Sequence, residues 1–312
     1  MLEKRASVEV PSALAPSLGE FFGSEGRAWA AGLPALAGEL LNRWELRPDG
    51  PPVHGVVALV LPVRRADGEA CVLKLQPVDE ETAGEPAALR AWGGRGAVRL
   101  LDHDPASGSM LLERLDAGHS LLDVEDDRMA LLVLAELLRY LTSRQSIPGI
   151  RRLADVADAI LAEAPEAGAV LANPDERRLL ADCAAALREV RADPGDQLLH
   201  WDLHFGNVLA PLDRARRGPW LAIDPKPLAG HPGFELLPAL RNRWDDVVAT
   251  GDVRRAVRRR FDLLVDVLEL DRSEAVGWTL ARVLQNAVWA AEDGDDALDP
   301  AQRAIAEELL GR

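Results

Sequence analysis

The stretch from residue 53 to 75 is dense in Val and Leu and broken once by a turn. Val53–Pro62 and Glu69–Leu75 each read as a strand, and Asp67-Gly68 between them makes a hairpin turn because both residues tolerate positive φ. Thr82–Trp92 follows with helical spacing; Pro86 lies within its first turn or two, where the ring is tolerated. Val98–Leu101 and Ser109–Glu113 predict two further strands, and Glu25–Trp44 predicts an upstream helix interrupted at Gly32-Leu33-Pro34. From Asp123 onward the pattern turns helical. Asp126–Ser143 is amphipathic and Ile150–Ala164 is a second helix. Asn173-Pro174 supplies an N-cap and a first-turn proline for a helix to Val190. Asp252 caps a helix to Leu270, Ser273 with Glu274 opens one to Glu292, and Asp299-Pro300 opens the last. Repeats and low-complexity linkers are absent. The pattern predicts an α+β protein: a small β-rich N-terminal lobe over residues 1–115, with an N-terminal helical extension, and a larger, mostly helical lobe over 116–312.

Composition narrows the partners. At 312 residues the chain can build two lobes with real cores. A net charge of -15 argues against nucleic acid, whose binding rests on Lys and Arg contacts to phosphate, and is compatible with a cationic small molecule. Cys71 and Cys183 fall in apolar contexts and read as reduced core residues. No apolar segment follows Met1–Arg5 as a signal peptide would, and Met129–Leu138 is too short to span a bilayer, so a cytoplasmic protein is expected, as monomer or weak dimer. Lys4, Lys74 and Lys226 are the only lysines, so a lysine inside the apolar run Cys71-Val72-Leu73-Lys74-Leu75 stands out.

The chemistry-bearing stretch is His200-Trp201-Asp202-Leu203-His204-Phe205-Gly206-Asn207, followed by Ile223-Asp224-Pro225-Lys226-Pro227. It has the layout of a kinase catalytic loop, H-x-D-L-x-x-x-N, with a second Asp after a short hairpin. In that layout Asp202 accepts the proton of an attacking hydroxyl, while Asn207 and Asp224 supply the hard oxygen ligands that Mg2+ prefers. His200 and His204, at i and i+4, also have the spacing of a helical zinc pair, but Gly206, Asn207 and the flanking apolar runs make this segment a loop. The histidines then read as structural: His200 anchoring the loop, His204 packing or hydrogen-bonding.

These residues resemble the aminoglycoside phosphotransferase family of protein-kinase-like enzymes, with Trp201 and Phe205 where Gly and Pro are usual. Ile223-Asp224-Pro225-Lys226-Pro227 is similar to the narrower streptomycin 6-phosphotransferase and hydroxyurea phosphotransferase group, as are Val72–Leu75, Glu85–Leu89, Gly96–Leu101 and Met110–Leu115. The resemblance covers roughly residues 50 to 245. It implies a protein-kinase-like fold, and ATP and Mg2+ as cofactors. Lys74 would contact the α- and β-phosphates, with Glu85 its partner and Glu80 and Glu81 rivals for that pairing. Gly55, alone in Pro52–Val56, would supply the phosphate-covering turn, a poor cover beside a Gly-rich loop. Backbone groups near Glu113 and Leu115 would meet the adenine edge. The implied activity is transfer of the γ-phosphate to a hydroxyl of a small, cationic acceptor, streptomycin first (at its 6-hydroxyl, giving antibiotic resistance). Hydroxyurea, an amino sugar or another metabolite are alternatives, as is a catalytically silent nucleotide-binding protein. After Asp224 the chain offers Glu235, Arg241, Asn242, Trp244, Asp245 and Asp246, and the tail adds Trp289, Glu292 and Asp293. Of these, Glu235, Trp244 and Asp245 are the candidate acceptor contacts, because carboxylates pair with guanidinium and Trp faces stack on it.

Overall fold

The computed structural model describes residues 8–312, which divide into two compact units. The first runs to Asp116 and adds Pro211–Asp213; the second holds Ala117–Ala210 and Arg214–Arg312. Lys4 lies outside the described residues. The first unit contains α1 (Leu14–Arg43), β1 (Arg47–Pro48), β2 (Val53–His54), β3 (Leu59–Arg64), β4 (Ala70–Leu75), α2 (Glu85–Trp92), β5 (Leu100–His103) and β6 (Met110–Glu113). The sheet order is β1-β3-β4-β6-β5, with β2 also on β3, and every pairing is antiparallel.

Strand periodicity decides what each face of this sheet does. Leu59, Leu61 and Val63 of β3 and Cys71, Leu73 and Leu75 of β4 bury against Leu14, Leu18, Leu33 and Leu40 of α1. Lys74 is therefore on the opposite face from the α1 core, although it sits in an apolar run.

Several sequence expectations are corrected. The upstream helix starts at Leu14 and runs through Pro34; its break is at Gly23, with φ 59° and ψ -133°, a conformation only glycine adopts cheaply. The strand expected over 53–62 is two strands, β2 and β3, paired Val53↔Val60 and closed by Gly55 N–H donating to the Ala58 carbonyl at 3.0 Å. Helix α2 starts at Glu85, three residues later than expected, and β5 begins at Leu100.

The second unit carries β7 (Leu115–Ser120, belonging to it from Ala117), α3 (Asp127–Thr142), β8 (Arg151–Arg152), α4 (Leu153–Val170), α5 (Pro174–Val190), β9 (Gln197–Leu199) and β10 (Val208–Pro211, belonging to it up to Ala210). After these come α6 (Arg214–Arg217), β11 (Leu221–Ala222), β12 (Leu228–Gly230), α7 (Leu236–Arg241), α8 (Trp244–Ala249), α9 (Val253–Leu268), α10 (Arg272–Glu292) and α11 (Pro300–Leu309). Helix α10 is buried over most of its length and packs on α4, α5 and α11. Asp126, Asn173, Asp252 and Asp299 cap their helices with side-chain oxygens, and Asp271, not Ser273, caps α10. Two small sheets, β11-β10-β7 and β8-β12-β9, hold the loops after β9 and β11. Cys71 and Cys183 are buried free thiols, pushed up to about 11 and about 12, chiefly by burial. Among the described residues, no helix is long and apolar enough to cross a membrane.

The kink in α1 predicts a pair of opposite effects. A Cβ at Gly26 would lie 2.0 Å from the Leu18 carbonyl oxygen, a backbone atom that cannot step aside, whereas one at Gly32 would meet nothing within 4 Å. Gly26→Ala should cost about 3 kcal/mol, the upper end of overpacking penalties. Gly32→Ala, on an exposed helical turn, should gain about 0.5–1 kcal/mol. Denaturant unfolding of the two variants checks both signs.

Candidate active site

Each unit presents one part of the chemistry. In the first, the Nζ of Lys74 donates to both carboxylate oxygens of Glu85, at 2.8 and 2.9 Å, and both residues are buried. Glu85 occupies the first turn of α2, where a negative charge suits the helix dipole. Gln76, two residues after Lys74 on the same face, donates to Glu85 at 2.6 Å, a partner that sequence reasoning missed. Glu85 is thus the partner of Lys74, fixed by three hydrogen bonds. Gly55 sits in the β2–β3 turn with open space around it and without positive φ, so its lack of a side chain is not required by the turn itself. At the end of β6, the Glu113 N–H already donates to the Arg99 carbonyl at 3.0 Å; Leu115, buried, opens β7.

In the second unit, the loops after β9 and β11 are laced together. Lys226 N–H donates to the His200 carbonyl at 3.0 Å, Ile223 N–H donates to the Asn207 carbonyl at 2.9 Å, and His200 Nε2 lies 3.0 Å from the Ile223 carbonyl. Burial pushes the His200 imidazole down to about 4, so it is neutral and can serve as that donor. His204 Nδ1 accepts from Gly206 N–H and caps the short turn Phe205–Asn207. Both rings therefore serve the loop backbone. Asn207 Nδ2 donates to the Asp202 carbonyl at 2.9 Å, which leaves its amide oxygen as the atom that could meet a cation. Trp201 and Asp224 both hold left-handed backbone, φ 67° and 58°, conformations that persist only when the surroundings enforce them.

For Trp201 the enforcing group is Glu235. Its fully buried carboxylate accepts the N–H of His200 at 2.5 Å and of Trp201 at 2.9 and 3.0 Å. Expected at the acceptor, Glu235 is instead sealed beneath the loop and cannot touch a solute. Asn242 has a similar duty: its Oδ1 accepts Phe205 N–H at 3.0 Å. Two guanidinium groups lie over the Trp201 indole, Arg151 at 4.6 Å and Arg282 at 4.4 Å from its centroid, and Trp289 packs T-shaped against it at 6.0 Å. Sequence reasoning missed Arg151 and Arg282.

Asp202 opens onto a cavity of about 800 Å³ inside this unit. Trp244, Trp289, Arg241, Asp293, Asp295 and Asp299 are among its walls. Asp245 is exposed and lies outside that lining, because α8 turns it away while Trp244 faces in; this corrects its expected place. Trp289, packed against Trp201 and under Arg282, is still 38% exposed and lines this cavity with Asp202.

The family model described as aminoglycoside/hydroxyurea antibiotic resistance kinase matches residues 43–294. The chain is 58% identical over 304 residues to a streptomycin 6-kinase of Streptomyces glaucescens, covering 97% of this chain and 98% of that one. It is 56% identical over 309 residues to a hydroxyurea phosphotransferase of Kitasatospora aureofaciens, covering 98% and 87%. Among solved structures, a fructosamine-3-kinase of Thermobifida fusca superposes with TM-score 0.56 at 18% identity, over 89% of this chain and 99% of that one. A choline kinase of Streptococcus pneumoniae gives 0.53 at 13%, over 90% and 99%. These two show a shared fold.

Glu235 generates a prediction with a definite sign. Burial pushes its carboxyl up to about 7, against the opposing pull of the Trp201 and His200 N–H groups and Arg282. Between the unfolded value near 4.5 and about 7, the folded chain keeps a proton that the unfolded chain has released. This contribution to stability is full below 4.5 and is lost as pH rises through 7. Glu235→Gln should remove that slope, so wild type should lose stability relative to the variant from pH 4.5 to 7 in unfolding titrations. A difference independent of pH would contradict the assignment.

Proposed function

The chain belongs to the aminoglycoside/hydroxyurea antibiotic resistance kinase family, and we propose that it transfers the γ-phosphate of ATP to a hydroxyl of streptomycin, at the 6 position. The observation that carries the acceptor is the cavity at Asp202. At about 800 Å³ it falls in the size range of small-molecule sites. Its carboxylates Asp293 and Asp295 and its Trp244 and Trp289 rings suit guanidinium groups, through charge-assisted hydrogen bonds and stacking. Hydroxyurea, small and uncharged, would leave those walls unused, and streptomycin is therefore the better fit. A silent nucleotide-binding protein is disfavoured by an intact Lys74–Glu85 pair together with Asp202, Asn207 and Asp224 on ordered loops.

In this reading Lys74, held by Glu85, which Gln76 in turn holds, takes the α- and β-phosphates. Backbone around Gly55 covers the phosphates, and backbone near Glu113 and Leu115 meets the adenine edge. Asp202 accepts the acceptor's hydroxyl proton as the oxygen attacks; it lies within the acceptor cavity, as a general base must. Asn207 and Asp224 would hold Mg2+, for which an amide oxygen and a carboxylate are fitting hard ligands. Magnesium, when bound, neutralises charge on the phosphate oxygens. Trp244 and Trp289 orient the acceptor.

Asp202→Asn should lower kcat by about 10³-fold or more, within the range of general-base catalysis, while magnesium–ATP still binds. Asp224→Ala should damage nucleotide binding and turnover together. Trp289→Ala should raise KM for streptomycin about tenfold, the worth of one desolvated cation–π contact of about 1–2 kcal/mol, and leave KM for ATP unchanged. Steady-state kinetics with calorimetric ATP binding reads all three; an Asp202→Asn protein of near wild-type rate would overturn the assignment of the base.

A further inference from the structure

Lys226 has no role in the reading above, yet its placement is built. Its Nζ lies 3.8 Å from the Asp202 carboxylate, an attraction between charges beyond hydrogen-bond range. Its backbone is fixed from three sides: the N–H donates to the His200 carbonyl, and buried Pro225 and Pro227 set φ on either side. Two residues before it stands Asp224, in left-handed backbone. The side chain is 37% exposed, so its end is reachable from solvent. Other cations of this unit near Asp202 are occupied differently. Arg243 donates to the carbonyls of Leu121, Leu122 and Val124; Arg282 stacks on Trp201 and donates to Gln285; Arg241 pairs with Asp299.

We propose that Lys226 is a catalytic residue whose ammonium meets an oxygen of the phosphoryl group in flight. This rests on the phosphotransfer reading and adds to it a residue acting only at the transition state. In the step, the acceptor oxygen forms a bond to the γ-phosphorus as the bond from that phosphorus to the β–γ bridging oxygen breaks. The hydroxyl proton goes to Asp202, and ADP leaves with the bridging electron pair. Negative charge is shared among the oxygens of the moving group, and a fixed cation aimed there costs no reorganisation during reaction. A lysine rooted beside the base is suited to this, because the acceptor oxygen and the phosphorus must both come within bonding reach of one point. Its attraction to Asp202 favours rotamers that keep the ammonium near that point.

The test is Lys226→Met beside Lys226→Arg, with two readouts. Turnover of magnesium–ATP with streptomycin should fall about 100-fold in kcat in the Met variant, the usual cost of removing one transition-state donor, with both KM values nearly unchanged and partial recovery in the Arg variant. Calorimetry should show magnesium–ADP bound as by wild type. The affinity gained on adding aluminium fluoride, which mimics the moving phosphoryl group, should be lost by a similar factor in the Met variant. Equal loss of ADP and ADP–aluminium fluoride binding would make Lys226 structural and overturn the proposal, as would a Met variant with wild-type kcat. If wild type itself phosphorylates no acceptor yet binds ADP–aluminium fluoride through Lys226, the acceptor reading fails and this one stands.

Discussion

The grip of Glu235 on the His200 and Trp201 amides is the interaction on which the segment His200–Asn207 depends. A carboxylate removed from water is costly unless donors replace the lost hydration. Here the donors are backbone groups of the loop itself, at 2.5 to 3.0 Å. The same contacts that make the carboxylate tolerable hold Trp201 at φ 67°, a geometry a bulky residue would otherwise leave. From Trp201 the constraint passes outward. Arg151 and Arg282 lie over its ring and Trp289 packs against it at a steep angle, so the loop that carries Asp202 and the wall of the neighbouring cavity are packed together.

The first unit solves a simpler problem by strand alternation. One face of β4 gives Cys71, Leu73 and Leu75 to the core under α1; the other gives Lys74 to Glu85. A buried ion pair of this kind is a poor source of stability, because desolvation offsets the attraction. It is better understood as a device that keeps one ammonium extended and aimed. The second unit ties its parts together more closely: Arg282 and Trp289 of α10 pack on Trp201, and Asn242, just after α7, accepts the Phe205 N–H, so side chains on these helices cannot change without touching the loop.

Much of this was legible in the residues. The hairpin at Asp67-Gly68, the caps at Asp126, Asn173, Asp252 and Asp299, and the lysine in an apolar run each have a local physical cause, and local causes can be read from a single sequence. The glycine kink at Gly23 was not legible, because a glycine in a helical pattern reads the same whether it bends the helix or merely sits in it. Nor was the split of 53–62 into β2 and β3, since the apolar run continues across the turn. Glu235 was misplaced for a more instructive reason. A carboxylate downstream of the second Asp suggests a cationic ligand, but its neighbours Gly233-Phe234 and Leu236-Leu237 are apolar, and an acid embedded in such a run is more often buried on backbone donors. Arg151 and Arg282 come from distant elements, and nothing along the chain marks their meeting at Trp201.

The most direct test of the central claim is phosphorus NMR of the purified protein incubated with magnesium–ATP and streptomycin, with the product then mapped by proton–phosphorus coupling. ADP and one new phosphomonoester, on the 6-hydroxyl, are expected in equal amounts. ATP that stays intact, or that yields only inorganic phosphate, would contradict the claim.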